Sequence, residues 1–408
     1  MRASLFALFG LNLLFVLFPV LAPDGDPNGS NVMFSDQLVI FGRVLSSGLT
    51  PAIVAGTVAF ALLRAGSGLP VSLVLLPLIY AVLLSISAML ADKVPVETPM
   101  MAVFFVLFNL YIGLMRRQVS RQDSAMLLNL FKAYFVVWLL SPLLAMAVDP
   151  TLYIMFVFVT FVDISYHGLA DSRVGFGLWA AAFILLLGRP RTKGDTFLLA
   201  ISCGTLLLSQ SRAAIVGLVL AYGYGLLRER GLRALVPLLA MAAASVLPIA
   251  LWAAFGREDA LIVSEDRSII FDRFTEFIGR HWLLGHGSMK VIELPEFGKI
   301  DVPAHNLVLQ WIANYGVAAF LVLAAWLACV FALLRSTRAR MLLIYLLVYG
   351  MYQPVQGTGN FFNPITLLYF LVVFAVDRVD GVQLPRHQPV RRGPLFMRPV
   401  DMSMRAPE

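Results

Sequence analysis

Charged residues are scarce in this chain. They make up 13% of its 408 residues, whereas 60% are hydrophobic and the mean hydropathy is +0.83. A soluble globular domain carries roughly a quarter of its residues as Asp, Glu, Lys and Arg, because these side chains cover its water-facing surface. The composition therefore excludes an ordinary soluble enzyme and predicts a polytopic integral membrane protein.

Cysteine is scarcer still. Only Cys203 and Cys329 are present, and both stand inside apolar runs, which is typical of small, buried hydrophobic residues. This excludes a disulfide framework and a zinc cluster. Histidines and carboxylates are also missing from the spacings of an HExxH or paired-carboxylate metal site. We therefore expect no metal and no tightly bound cofactor.

Other absences narrow the function further. The chain has no Walker-type phosphate loop and no GxGxxG fingerprint before a helix, so a nucleotide-binding fold is not expected. Its apolar runs lack the acidic relay of a proton-coupled carrier. The net charge of +7 comes mainly from connectors and not from a groove-reading motif, so we expect no nucleic-acid partner.

Apolar runs of membrane-spanning length recur along the whole chain. A helix of about 20 residues crosses a hydrocarbon core of ~30 Å, so the sequence predicts an all-α fold with about twelve transmembrane helices. These spans lie near 4–22, 44–63, 69–90, 98–115, 125–147, 174–188, 196–210, 213–227, 234–254, 306–334, 341–354 and 364–377. The run Leu152–Phe161 is too short to cross and is interpreted as a partly embedded outer segment.

Basic residues concentrate in alternate connectors. These connectors contain Arg64; Arg116, Arg117 and Arg121; Arg189, Arg191 and Lys193; Arg228, Arg230 and Arg233; and Arg335, Arg338 and Arg340. Basic residues in short loops stay on the cytoplasmic side of a membrane. This predicts cytoplasmic termini, a main outward-facing loop over 264–305, and a single membrane domain over 1–378. The basic, proline-containing cytoplasmic tail over 379–408 is expected to be disordered or bound to the membrane surface.

The outward-facing loop is predicted to begin as an amphipathic helix. Its apolar residues follow the spacing of one helical face: Ile270, Phe274, Phe277 and Ile278. Ser264 or Asp266 is the candidate N-cap of this helix. We expect Gly285 and Gly287 to end it.

Arg212 stands between two apolar runs with almost no connector between them. A guanidinium at the edge of the hydrocarbon is costly unless it meets an anion, a carbonyl group or water. One interpretation is an interfacial arginine that marks a tight turn. The other is a fixed cation that grips a lipid-linked phosphate in a bidentate fork. Position alone leaves both interpretations open.

Three more arginines lie on the predicted loop helix: Arg267, Arg273 and Arg280. For Arg273 and Arg280 we favour a solvated helix face balanced by neighbouring carboxylates such as Glu276, although Arg273 is kept as a substrate-binding candidate. For Arg267, a solvated face and a substrate-binding cation are both open.

Histidines mark the two ends of the remaining loop. Gly285–His286–Gly287 is either a flexible helix terminus or part of a binding site. His305 and Asn306 directly precede the apolar run that ends at 334, which places them at the membrane boundary. A lone histidine there is often only a polar tip in the headgroup layer, but near a diphosphate it becomes a candidate base or hydrogen-bond donor.

Three motifs in the second half of the chain carry a family resemblance. The first, Ser209–Gln210–Ser211–Arg212–Ala213, has the form (T/S)-x-S-R-(G/A). The second joins Arg267 and Phe271 to the segment 281–287, like an Arg, an aromatic residue and H-P-(L)-x-G-x-G. The third, His305–Asn306 followed by Gly316, is similar to H-N-x-x-L…E-x-G.

In order and spacing these motifs resemble the family of O-antigen ligases and O-antigen or exopolysaccharide polymerases of the bacterial inner membrane, with a core over 196–334. Two positions depart from the family pattern. Trp282 stands in place of the usual proline, and Asn314 stands in place of an acidic residue.

The resemblance implies a metal-independent glycosyl transfer on the periplasmic face. A glycan passes from an undecaprenyl-diphosphate carrier to an acceptor sugar hydroxyl. The implied catalytic residues are His305, Arg212 and Arg267: the arginines stabilise charge on the leaving diphosphate, and His305 orients or deprotonates the acceptor hydroxyl or holds the diphosphate. The implied substrate-binding residues are Arg212, Arg267, Arg273, Gly285, His286, Gly287 and Asn306.

The acceptor distinguishes two activities within this family. A polymerase transfers the glycan to another lipid-linked repeat unit, whereas a ligase transfers it to lipid A–core; the polymerase is favoured. Further partners implied are membrane lipid, a flippase and a chain-length regulator. A transporter or flippase of lipid-linked sugars, which also needs outward-facing arginines, is the alternative from another functional class.

Overall fold

The computed structural model describes residues 2–17, 49–61, 72–90, 97–148, 173–188, 190, 192–209, 211–234, 236–237, 239–240, 265–286, 292–294, 300–302, 306–352 and 364–381. Within these residues the chain is helical apart from one short hairpin. Its helices are α1 (Arg2–Leu17), α2 (Leu49–Ala61), α3 (Ser72–Leu90), α4 (Glu97–Gln118), α5 (Arg121–Val148), α6 (Arg173–Leu187), α7 (Lys193–Leu208), α8 (Arg212–Arg230), α9 (Glu265–Arg280), α10 (Leu307–Leu333), α11 (Thr337–Tyr352) and α12 (Pro364–Asp380), with a 3₁₀ turn at Gly231–Ala234.

The predicted spans coincide with helices wherever both are described. The run 98–115 lies within α4, for example, and 306–334 corresponds to α10. Most of the span predicted near 234–254 lies outside the described residues, as does the segment Leu152–Phe161. By length and apolar composition, two described helices are able to cross a membrane, Ser72–Met89 and Leu307–Leu333, and a third if the α4–α5 pair, bent by 118°, counts as one span. A total of about twelve spans therefore stays a prediction.

One hairpin in the outward-facing loop departs from the all-α prediction. Strands β1 (Ile292–Leu294) and β2 (Ile300–Val302) pair antiparallel, with Ile292 opposite Val302. Both strands read apolar–acidic–apolar, which is the alternation of a short strand. The all-α prediction missed this element because three residues are too few to stand out in an otherwise helical sequence.

The cysteines are less buried than predicted. Cys203 on α7 is exposed and Cys329 on α10 is half-buried, and neither forms a disulfide. Cys203 shares the exposed surface of α7 with Phe197 and Leu207. In a membrane helix an apolar side chain does not need protein around it, because lipid tails are equally apolar.

The basic connectors that the structure describes lie at one end of the helices, which we call the basic end. Arg2 at the start of α1 forms an ion pair with Asp123 on α5, at 2.9 Å. Arg378 on α12 donates to the carbonyl of Val119, and Arg338 on α11 donates to the carbonyl of Leu186 at the end of α6. The structure thus brings these described connectors together, as the alternation of charge predicted. Which side of a membrane this end faces stays a prediction.

Helix α10 lies in the core and carries buried indole groups. Trp311 Nε1 donates to the hydroxyl of Tyr80 on α3 at 2.8 Å, and Trp326 Nε1 donates to Asn109 Oδ1 on α4. All four side chains are buried. Because a buried donor without a partner costs about 1–3 kcal/mol, these pairs fix the register of α10 against α3 and α4.

Candidate functional site

The turn between α7 and α8 places Arg212 at the end of the helices opposite the basic end, which we call the outer end. Ser209 Oγ donates to the carbonyl of Leu206 at 2.7 Å, and Ser211 is the N-cap of α8, with its Oγ accepting from the amide of Ala214 at 3.4 Å. Both serines are buried. Their hydroxyl groups therefore satisfy the helix ends that this short connector leaves without backbone partners.

Helix α6 packs directly against this turn. A Cβ atom on Gly177 would lie 2.4 Å from Ser211 Cβ and 2.9 Å from Ser209 Oγ. Only a residue without a side chain allows this approach, so the serine turn is packed directly on α6. Arg212 follows as the first residue of α8 and is half-buried.

The position of Arg212 concentrates positive potential. The first amide groups of a helix carry a partial positive charge and point toward the space before it. A guanidinium in the first turn of α8 adds a full charge to the same region. A cation at a helix N-terminus does not stabilise the helix. Together with the amide groups, however, it favours the binding of a phosphate oxygen.

The predicted amphipathic helix is present as α9, between Glu265 and Arg280. Ile270 and Phe274 are buried together with Ala313 of α10. This contact covers the apolar face of α9 with the N-terminal half of α10, as the spacing of its apolar residues predicted.

The opposite face of α9 is solvated. Glu276 accepts from Arg273 at 3.3 Å and from Arg280 at 3.0 Å, and all three side chains are exposed. This arrangement matches the solvated helix face that we favoured for Arg273 and Arg280. Exposed pairs of this kind contribute little to stability.

Both ends of α9 differ from the prediction. The helix begins at Glu265, so Asp266 lies inside its first turn and is not the N-cap; Ser264 lies outside the described residues. The helix ends at Arg280 and not at Gly285, because the chain makes a tight turn closed by a bond from the amide of Gly285 to the carbonyl of His281 at 2.8 Å. Gly285 has a different position: it is buried against α10.

The segment His281–His286, which we call the docking segment, contacts α10 where that helix is broken. Gly316 has φ 79° and ψ 170°, which is non-helical and essentially restricted to glycine. A straight helix would join the amide of Val317 to the carbonyl of Ala313, and the amide of Ala318 to the carbonyl of Asn314. The break removes both bonds.

The docking segment and α3 supply replacement partners for the groups that the break releases. The amides of Val317 and Ala318 donate to the carbonyls of Trp282 and Leu283, at 2.9 and 3.2 Å. The carbonyl of Ala313 accepts from the amide of His286, at 3.0 Å. The carbonyl of Asn314 accepts from Ser87 Oγ of α3, at 3.1 Å. Because these four released groups find partners, a discontinuous helix is tolerated here in an apolar surrounding.

The side chain of Asn314 is also buried, and its Oδ1 accepts from Gln310 Nε2 at 3.3 Å. This is the position where the family pattern has an acidic residue. A neutral amide fits this dry position without the cost of a buried charge.

His286 ties the docking segment back to α9. Its Nε2 lies 2.9 Å from the carbonyl of Phe277, and its ring stacks on that of Phe277 with centroids 3.6 Å apart. A carbonyl oxygen only accepts, so Nε2 carries the proton. The imidazole thereby satisfies one of the last carbonyls of α9, which have no partner within the helix. Sequence reasoning gave no signal for this contact.

Asn306 holds the start of α10 against the end of α11. As the N-cap of α10, its Oδ1 accepts from the amides of Val308 and Leu309, at 2.9 and 3.1 Å. Its Nδ2 donates to the carbonyl of Met351 at 2.9 Å. His305 precedes this clamp by one residue in the sequence.

Contacts with helix α11 show how far along the helices Arg212 and the Asn306 clamp lie. A Cβ atom on Gly217 of α8 would lie 2.9 Å from the ring of Tyr345, and one on Gly350 would lie 3.0 Å from Leu307 Cδ2. Arg212 lies five residues before Gly217, and Gly350 lies five residues after Tyr345 in the neighbouring helix. At about 1.5 Å per residue, Arg212 and the start of α10 are at a similar level at the outer end.

The predicted site residues thus divide into two groups. The structure places Arg212, Gly285, His286 and Asn306 at the outer end, with Arg273 on the solvated face of α9. Arg267 belongs to the first turns of α9, but its side chain is not among those described, and Gly287 and His305 lie outside the described residues. A hollow shared by Arg212, Arg267 and His305 stays a prediction. Across the described part of the chain, no three His, Cys, Asp or Glu side chains are grouped to hold a metal ion.

A comparison with protein families bears on these elements directly. The model of the family described as O-antigen ligase matches residues 197–324, from α7 through the broken helix α10. These residues belong to the O-antigen ligase family. The resemblance seen in the three sequence motifs is therefore confirmed. No curated protein matches the chain.

The O-antigen ligase domain includes the serine turn, α9, the docking segment and the Gly316 break. The family match and the apolar helices together indicate a membrane protein, and the family implies an enzyme that transfers glycan from a lipid-linked substrate to an acceptor glycan. The elements that precede Phe197 and follow Ala324 frame this domain.

Proposed function

We propose that this protein transfers a glycan from undecaprenyl diphosphate to an acceptor sugar on the periplasmic face of the bacterial inner membrane, and that it acts as a polymerase of O-antigen or exopolysaccharide repeat units. The observation that carries the proposal is the O-antigen ligase match over 197–324, since that interval contains Arg212, Arg267 and His305. The geometry of the outer end supports it.

The bond changes define what the residues must do. The bond between the sugar's anomeric carbon and the diphosphate oxygen breaks, and the acceptor hydroxyl oxygen forms the new glycosidic bond. The hydroxyl proton passes to His305 or to the released diphosphate. Charge develops on the leaving diphosphate, so fixed cations aimed at it lower the barrier.

Arg212 is suited to this task because the serine turn and α6 hold its backbone in place. Arg267 lies on α9, which is fixed to α10 by the docking segment. His305 directly precedes Asn306 in the sequence, and Asn306 clamps the start of α10 to α11. The proposal requires these supports to bring the three residues into one region, because precise positioning is a large part of such catalysis.

Attachment to lipid A–core is the second candidate, because the matched family is described as O-antigen ligase. Both activities break the same donor bond and differ only in the acceptor. A transporter of lipid-linked sugars would leave that bond intact.

The decisive experiment is a reaction with purified full-length protein in detergent. The donor is an undecaprenyl-diphosphate-linked repeat unit, given alone or with purified lipid A–core. A polymerase consumes the donor alone and yields a ladder of lengthened, lipid-linked products, whereas a ligase needs lipid A–core. We expect the ladder, and we expect Arg212→Ala, Arg267→Ala and His305→Ala to abolish it at normal protein levels. An intact donor under all conditions, with the protein folded, would contradict the proposal.

A further inference from the structure

The basic end contains a cavity of about 280 Å³ that the glycan-transfer proposal does not use. Four arginines from three elements line it: Arg116 and Arg117 at the end of α4, Arg335 between α10 and α11, and Arg378 on α12. Leu333 at this end and Leu307 at the outer end bound α10, whose 27 residues span about 40 Å at 1.5 Å per residue. The cavity is therefore remote from Arg212.

Among the described residues that line this cavity, the one carboxylate already has partners. Asp377 Oδ1 accepts from the backbone amides of Arg335 and Ser336, and its Oδ2 lies 3.9 Å from Arg116. Four guanidinium groups against one carboxylate leave a formal charge of 4 − 1 = +3 around the cavity. The site is electrostatically suited to an anion.

Two of these arginines are held in place by the protein. Arg116 donates to the carbonyl of Leu333 at 2.7 Å, and Arg378 Nε donates to the carbonyl of Val119 at 3.2 Å. Each guanidinium has five N–H donors, so these bonds orient the groups and leave further donors for a ligand. An oriented guanidinium binds a phosphate with less loss of side-chain entropy than a freely moving one.

The cavity lies at the ends of two membrane-capable helices. Leu73 stands at the start of the membrane-capable helix Ser72–Met89, and Leu333 ends the membrane-capable helix Leu307–Leu333; both line the cavity, together with Phe374. Phosphate headgroups of a bilayer occupy this level, with acyl chains beside the apolar helix surfaces. The lining thus has cations for a phosphate headgroup and an apolar wall for acyl chains, which are the two parts of a phospholipid.

We propose that this cavity binds the phosphate headgroup of an anionic phospholipid. The guanidinium groups of Arg117 and Arg335 contact the phosphate oxygens beside the two anchored arginines, and the lipid's acyl chains lie against Leu73 and Phe374. Basic pockets between transmembrane helices are suited to such headgroups in general. The bound lipid bridges α4, α12 and the α10–α11 connector.

The test compares two double variants of the full-length protein in a neutral detergent. Arg117→Gln with Arg335→Gln removes two cavity charges whose side chains are exposed. Arg228→Gln with Arg230→Gln removes two exposed charges at the same end, outside the cavity lining. Binding of phosphatidylglycerol and of phosphatidylcholine is measured by native mass spectrometry during titration.

We expect phosphatidylglycerol to bind the wild type more tightly than phosphatidylcholine does. The cavity variant should lose about 25-fold in affinity for phosphatidylglycerol, because each of the two basic side chains near an anionic lipid contributes about five-fold. The control variant should bind like the wild type. Equal losses in both variants would show that binding depends on surface charge in general and not on the cavity, and would overturn the proposal.

A second arm distinguishes a lipid from a free anion. The same titration is repeated with inorganic phosphate and with inorganic pyrophosphate in place of lipid. We expect no binding of either at concentrations where phosphatidylglycerol saturates the protein, since neither has acyl chains for the apolar wall. Binding of a free phosphate at least as tight as that of phosphatidylglycerol would overturn the lipid assignment.

Discussion

Gly285 and Gly316 each pack against the backbone of the segment that contains the other. A Cβ atom on Gly285 would lie 2.5 Å from the backbone of Asn314, and one on Gly316 would lie 2.1 Å from the carbonyl oxygen of Leu283. Both residues also have a positive φ, which glycine adopts without strain. The pair therefore joins the docking segment to the break in α10, and through it α9 to the membrane helices.

Gly316→Ala is expected to destabilise the protein by about 2–4 kcal/mol. The new side chain would be strained in this backbone conformation and would collide with backbone atoms that have no freedom to move. Thermal unfolding in detergent measures the effect, and faster proteolysis within 281–286 would show that the docking segment has been released.

Gly279→Ala is the matched control for that substitution. A Cβ atom on Gly279 meets nothing within 4 Å, and alanine favours a helix by up to ~1 kcal/mol over glycine. We expect a melting temperature equal to or above that of the wild type. If both variants melted alike, the reciprocal packing of the two glycines would not be holding α9 in place.

Ser87→Ala should destabilise the protein by about 1–2 kcal/mol. Ser87 Oγ is the donor that replaces the missing helix bond to the carbonyl of Asn314, and a buried acceptor that loses its partner carries a desolvation cost.

Ser85→Ala, on the same helix, provides the comparison. Ser85 Oγ donates to the carbonyl of Ala81 one turn earlier, which already takes part in α3, so its loss should change the unfolding free energy by less than about 0.5 kcal/mol. Chemical denaturation of the two variants gives the difference directly. A larger effect at Ser85 would show that Asn314 does not depend on Ser87.

The sequence predicted those parts of the fold that local signals encode. Apolar run length placed α10 close to its observed bounds, and the polar turn before Arg212 placed the start of α8. The spacing of Ile270 and Phe274 predicted the buried face of α9. Each of these depends on residues within one helix or one turn.

The contacts that hold the site together are non-local, and that is why they were missed. The local sequence predicts that Gly285 ends a helix, but the backbone it packs against, at Asn314, lies 29 residues away. The clamp from Asn306 reaches Met351, and the partner of Asn314 lies on α3. No periodicity in the sequence encodes which carbonyl groups a broken helix releases or which segment replaces their partners.

Arg212→Ala should abolish glycan transfer, and Arg212→Lys should retain only about 1–10% of it. Lysine keeps the positive charge at the start of α8, but it loses the planar fork that binds two phosphate oxygens at once. Donor consumption by purified protein measures both. Arg280→Ala, which removes an exposed arginine from α9, should leave the rate unchanged. Full activity of Arg212→Ala would remove Arg212 from the proposed site.

Asn306→Asp separates the two bonds made by Asn306. A carboxylate keeps the N-cap of α10, and its negative charge suits a helix N-terminus, but it cannot donate to the carbonyl of Met351. We expect stability within about 1 kcal/mol of the wild type, because the lost bond is a single one. We expect kcat to fall at least about ten-fold, since the neighbouring His305 is then less well positioned. If Asn306 instead contacts the donor, as the family resemblance implies, KM for the donor should rise as well.

Thr192→Ala is the control that distinguishes loss of position from loss of stability. Thr192 is the N-cap of α7, at the basic end, where its Oγ1 accepts from the amide of Asp195 at 3.0 Å. Its removal should cost about 1 kcal/mol of stability, comparable to the cost at Asn306, while leaving kcat intact because the site is at the other end of the helices. A similar fall in kcat for both variants would mean that activity follows overall stability, and the clamp to Met351 would then have no role of its own in the reaction.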